Sequence, residues 1–204
     1  MNTWAEFALL TWLLTMLPGI DTAQVLRSSV KGGPKLAYLT LFGIMGGVWF
    51  WGIAAALGVS AILLASETAY TIFKFVGATY LLYLGISMIR QARTAQGLVL
   101  SSSPSFDSPF RALTRAFMVT FTNPKNGAFY VAVLPQFMPE DMNPLLAGVI
   151  FSTIHNACVL IWFSGVILLT HKARAFFARP KVGKSIENLS GLALILFGIS
   201  LFFE

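Results

Sequence analysis

From Leu36 to Ser66 the chain carries no charged side chain, and a run of that length decides the solvent before it decides the fold. An α-helix rises about 1.5 Å per residue and the hydrocarbon core of a bilayer is about 30 Å thick, so about 20 apolar residues cross it. This run exceeds one crossing, which predicts a tilted or protruding helix. The rest of the chain agrees: of 204 residues 56% are hydrophobic and 11% charged, against roughly 25% charged in a soluble domain. A net charge of +6 would suit nucleic acid only if the basic residues shared one accessible face. They fall instead in short segments between apolar stretches, so no nucleic-acid partner is expected. Cys158 is the only cysteine, which rules out a disulfide framework or a cysteine metal cluster. No cofactor and no metal site is expected. The first residues lack a basic region and a cleavage pattern, so they read as the start of a retained helix.

The apolar stretches predict an all-α integral membrane protein with six crossings, near 4–26, 38–64, 68–89, 114–138, 144–170 and 186–203. One connection is long. Residues 91–112, with Ser101, Ser102, Ser103, Pro104 and Ser105, read as a flexible loop joining a first three-helix half, 1–90, to a second, 113–204. Cytoplasmic loops of membrane proteins are enriched in Lys and Arg. The first loop has Arg27, Lys31 and Lys35, the third Arg90, Arg93, Arg111 and Arg115, and the fifth Lys172, Arg174, Arg179, Lys181 and Lys184. Glu6, Glu67, Glu140, Asp141 and Glu204 mark the other side. Both termini are therefore expected outside, in the periplasm of a bacterial inner membrane.

The halves resemble each other. Each first helix is interrupted at a proline, in Leu17-Pro18-Gly19-Ile20-Asp21 and in Thr122-Asn123-Pro124-Lys125-Asn126, and each third helix has Gly-Ile-Ser, at 85–87 and 198–200. Three helices is an odd number, so duplicated halves lie in opposite orientations, an inverted repeat of the kind found in secondary transporters.

A charge at the bilayer centre costs at least about 2.5–3.5 kcal/mol and calls for a reason. Asp21 follows Pro18 and Gly19 near the midplane, where a broken helix is tolerated only against protein or a wet cavity. Asp21 and Thr22 are expected to cap the half-helix that continues through Gln24. In the second half Asn123 caps a new helix, Pro124 takes its first position, and Lys125 and Asn126 follow in the first turn. The positive end of that half-helix and Lys125 suit a carboxylate, and Asp21 suits an ammonium group or a proton. Together they complement an amino acid zwitterion. The plainer alternative is a static ion pair and two simple kinks. Lys74 can snorkel outward. His155 and Asn156, mid-membrane on the fifth helix, suit either an interhelical hydrogen bond or a proton relay.

The stretches Leu17-Pro18-Gly19-Ile20-Asp21-Thr22, Gly77-Ala78-Thr79-Tyr80-Leu81-Leu82-Tyr83-Leu84-Gly85 and Thr122-Asn123-Pro124-Lys125, followed by Leu134-Pro135-Gln136-Phe137, resemble the LysE/RhtB family of bacterial amino acid exporters. The resemblance runs through nearly the whole chain. It implies an inner-membrane exporter of amino acids or their derivatives driven by the proton-motive force, working as a homodimer or higher homo-oligomer. Asp21 matches the acidic or amide residue after the family's Pro-Gly, and Asn123-Pro124-Lys125 match its Asn-Pro-Lys signature. Ile20 stands where a second proline is common, and Gly47 where many members carry a polar residue.

The expected function is amino acid export by proton antiport with alternating access. A divalent-cation exporter of related fold would want more oxygen ligands than the one intramembrane carboxylate, Asp21. A membrane-embedded enzyme, whose site His155 and Asn156 could begin, would want a nucleophile or metal motif that the sequence lacks.

Overall fold

The computed structural model describes the backbone of residues 3–17, 19–94, 108–139, 141–170, 172, 176 and 179–200. Among these residues the chain is helical and no strand occurs. The helices are α1 Thr3–Met16, α2 Ile20–Ala65, α3 Glu67–Thr94, α4 Pro109–Phe121, α5 Pro124–Val133, α6 Pro144–Leu168 and α7 Pro180–Ser200, with a 3₁₀ turn at Leu134–Phe137. Local chemistry fixes several starts. The Ser108 side chain accepts from Arg111 N and the Asn143 side chain from Leu145 N and Leu146 N, with Pro109 and Pro144 in the first turns, where proline forfeits no helical bond.

Among the described residues two stretches could cross a membrane outright by length and hydropathy, Ile20–Gly58 and Pro144–Leu168, and Trp4–Met16 and Phe75–Ser87 are shorter apolar helices. The first of these is not a single rod. The Ser28 and Thr40 hydroxyls are hydrogen bonded at 2.7 Å, whereas residues twelve apart on a straight helix stand about 18 Å apart. The chain doubles back at Gly33, whose φ of 69° and ψ of −172° lie outside the helical region. Glycine adopts a positive φ freely, and Pro34 next to it has no N–H to continue the ladder. The reversal thus needs no separate loop: Arg27 and Lys31 ride on helix where a connection between 26 and 38 is expected.

Three other boundaries run past the apolar stretches. Helix α3 runs on to Thr94, α4 begins at Pro109 and α7 at Pro180, because polar and basic residues continue a helix past the apolar stretch that hydropathy marks. The connection between the halves is shorter than 91–112 as a result, and 95–107 lie outside the described residues.

Helix α2 packs against α4 and α6, α3 against α7, and α1 against α6. Phe7, Phe129, Tyr130, Phe137 and Phe151 form one buried cluster, and Val25, Leu26, Leu41, Ile44, Val159 and Phe163 another. The crossing of α3 and α7 is reciprocal. A Cβ at Gly85 would lie 2.6 Å from Gly191 O and 2.6 Å from the Ile195 side chain, and a Cβ at Gly191 would lie 2.7 Å from Gly85 O and 2.9 Å from the Ile89 side chain. The two glycines thus meet each other's backbone at the crossing. Gly198, on the same helix, sits against Ala78 O.

Candidate functional site

The two interrupted stretches bring polar groups together. Between α1 and α2, Leu17 N still donates to Leu14 O, and Ala23 N to Gly19 O. Pro18 lies outside the described residues. Thr22, expected as a cap acceptor, instead donates from its buried hydroxyl to Leu17 O at 3.3 Å, tying the new helix to the end of the old one. Asp21 is half-buried in the first turn of α2. Its carboxylate Oδ1 accepts from Thr120 Oγ1 at 3.4 Å, across 99 positions of sequence. Gln24, one turn on from Asp21, has a buried Nε2 with no hydrogen-bond partner among the described residues.

Between α4 and α5 the Thr122 N–H returns to Met118 O and the Asn123 N–H to Thr120 O, and the Asn126 and Gly127 N–H groups both turn to Asn123 O. Asn123 therefore serves the restart through its carbonyl. Pro124 and Lys125 open α5, and their side chains lie outside the described residues, as does that of Lys74 on α3. Trp51 of α2 donates its indole N–H to Thr120 O at 3.2 Å and to Phe121 O at 3.1 Å.

His155 and Asn156 are buried on α6, and their hydrogen bonds run elsewhere than to Asp21. The Tyr130 hydroxyl and His155 Nδ1 are 2.8 Å apart, and Asn156 Nδ2 donates to Met45 O at 3.1 Å. Asn156 Oδ1 is buried and has no hydrogen-bond partner among the described residues. Buried polar atoms of this kind are uncommon and are met by water or ligand where room exists. Thr120, Tyr130 and Trp51 were not singled out by sequence as polar partners. Thr120 alone carried a signal, because it stands four residues before Pro124 and loses the N–H its carbonyl would receive. The Asp21 carboxylate and the Thr120 hydroxyl thus join the two helix breaks, with the Gln24 amide one turn along α2.

Residues 12–204 match the family described as LysE type translocator. The chain is 27% identical to "Uncharacterized membrane protein YrhP" of Bacillus subtilis (strain 168), covering 92% of each chain. It is 27% identical to the homoserine/homoserine lactone efflux protein of Salmonella typhi, over 96% of this chain and 93% of that one. With the leucine efflux protein of Salmonella choleraesuis (strain SC-B67) it shares 30% identity, over 86% and 84% respectively. No solved structure matches.

Proposed function

Because the chain belongs to the LysE type translocator family, a family of transporters and not enzymes, we propose that it is a secondary exporter of amino acids or close derivatives, exchanging them for protons across a bacterial inner membrane. The observation that carries this reading is the Thr120–Asp21 hydrogen bond, which joins the start of α2 to the end of α4, so that the two helix breaks meet in one polar locus. Relatives named for leucine and for homoserine efflux support an amino acid as the solute. In the proposed site the substrate ammonium lies against Asp21 and its carboxylate against Lys125 and the restart at Asn123, Pro124 and Asn126, with Gln24 beside it. Pro18, Gly19 and Thr22 shape the first break. Protonation of Asp21 from outside weakens the ammonium contact and releases the substrate, and the protonated carrier returns.

The architecture proposed for this cycle is six crossings in two inverted halves that rock about the breaks. Two observations support it. The α3–α7 crossing exchanges Gly85 with Gly191 and Ile89 with Ile195, and each pair is separated in sequence by the same interval as Pro18 and Pro124. One repeat register thus accounts for both the breaks and the crossing. His155 and Asn156, bonded to Tyr130 and Met45 O, brace α6 against its neighbours in this reading.

The test is uptake of radiolabelled leucine and homoserine into inverted vesicles with an imposed pH gradient, comparing wild type with Asp21→Asn. Gradient-driven accumulation that the variant loses is expected. Equal accumulation by Asp21→Asn would remove Asp21 from the cycle, and accumulation indifferent to the gradient would remove the proton.

A further inference from the structure

We propose that Trp51 is a positioning residue whose indole N–H holds the break between α4 and α5 in the shape that lets Thr120 bond to Asp21. Its consequence for substrate affinity rests on the exporter reading.

In an α-helix the carbonyl of residue i accepts from the N–H of residue i+4. Thr120 O would wait for position 124, which is proline and has no N–H. Phe121 O would wait for position 125, but past the break the Asn126 and Gly127 N–H groups turn to Asn123 O. An apolar membrane interior offers no water to such carbonyls. Thr120 O takes the Asn123 N–H at 3.3 Å, and the Trp51 indole then straddles both carbonyls at 3.2 and 3.1 Å, a three-centre bond of the kind found at helix ends. The donor comes from a different helix, so it fixes the end of α4 relative to α2.

The surroundings are cut to fit the ring. A Cβ on Gly127, in the first turn of α5, would lie 2.6 Å from Trp51 Cη2, so a side chain there would displace the indole. One turn before Trp51 on α2, a Cβ on Gly47 would lie 2.6 Å from Thr120 Cβ. Positions four apart share a helix face, so Gly47 and Trp51 together form the seat for Thr120. The Phe121 ring stacks on the indole at 6.5 Å and 27°. Trp51 thus touches both sides of the break, and the residue it seats is the one whose hydroxyl reaches Asp21 at 3.4 Å. A tryptophan anchoring the helix in the lipid headgroups would aim its N–H at the membrane surface, whereas this one is committed to the break.

The experiment compares wild type with Trp51→Phe, Thr120→Val and the double variant, by hydrogen exchange in detergent and by leucine uptake in proteoliposomes. Phenylalanine keeps an aromatic ring and removes the N–H. Faster exchange across 121–127 in Trp51→Phe, with α6 unchanged, is expected. Each single variant should raise the KM for leucine about tenfold, the scale of one lost hydrogen bond to a charged group. The double variant should be no worse than about tenfold, because both act on the one carboxylate. Wild-type exchange at the break, an unchanged KM, or single effects that multiply to about a hundredfold would each overturn the proposal. Should Trp51→Phe fail to insert, Gly127→Ala, which pushes the ring off the break, is expected to give the same results. If the wild type moves no amino acid, the exporter reading falls while hydrogen exchange still decides the bridge.

Discussion

The Asp21 carboxylate accepts from a hydroxyl in the other half of the chain, Thr120 Oγ1, at 3.4 Å. Asparagine at 21 keeps the size and the acceptor oxygen and discards the charge, so Asp21→Asn is expected to insert and to run as a single species on size exclusion while losing gradient-driven uptake. Tyr130 and His155 represent the opposite case, two buried groups that satisfy each other at 2.8 Å. Tyr130→Phe leaves the His155 nitrogen without its partner in the core and should cost about 1–3 kcal/mol, read as a lower melting temperature in detergent. A melting temperature equal to wild type would mean that the pair contributes nothing to holding α5 against α6.

Helix packing is where glycine separates structure from composition. Gly85 and Gly191 let α3 and α7 approach until an added Cβ would meet the partner's backbone at 2.6 or 2.7 Å, whereas around Gly165 on α6 there is nothing within 4 Å. Gly85→Ala is therefore expected to destabilise by about 1–3 kcal/mol through overpacking, and Gly165→Ala to be neutral or to gain up to about 1 kcal/mol from helix propensity. Equal melting temperatures for the two variants would refute this account of the crossing. The sequence showed where helices run, because length and hydropathy are local properties. It placed a reversal between 26 and 38 but not the helix that continues to Gly33 on both sides, since Arg27, Lys31 and Lys35 look like a loop until the Ser28–Thr40 bond is seen. Nor did it pair Gly85 with Gly191, because which glycine meets which depends on how the helices are placed and not on local sequence. The carboxylate and the prolines of the candidate site were legible as residues that membranes disfavour. Thr120, Trp51 and Tyr130 were not, because which neutral side chain meets which depends on helix rotations that no periodicity fixes in a chain apolar on most faces.

For the whole molecule the proposed inverted repeat makes a demand that no single site makes: the reversal at Gly33 and the turn before α6 must lie on opposite sides of the membrane. Both carry exposed polar residues suited to labelling, Lys35 next to Pro34 and Asp141 just before the Asn143 cap. The native thiol, Cys158, is buried, with Thr11 Oγ1 at 3.8 Å, and replacing it with alanine supplies a background without reactive cysteine. In that background Lys35→Cys should react with a membrane-impermeant maleimide only in inverted vesicles, and Asp141→Cys only in intact spheroplasts. The argument from charge gives the same sides, since cytoplasmic loops gather Lys and Arg, but it is independent of the repeat. A chain with an even number of crossings between the two positions would put both labels on one side, and the breaks at residues 17–19 and 122–123 would then be related by no inversion. Opposite labelling leaves α1 with the first arm of α2, and α4 with α5, running antiparallel through the membrane, as rocking of two inverted halves about Asp21 and the Asn123 restart requires.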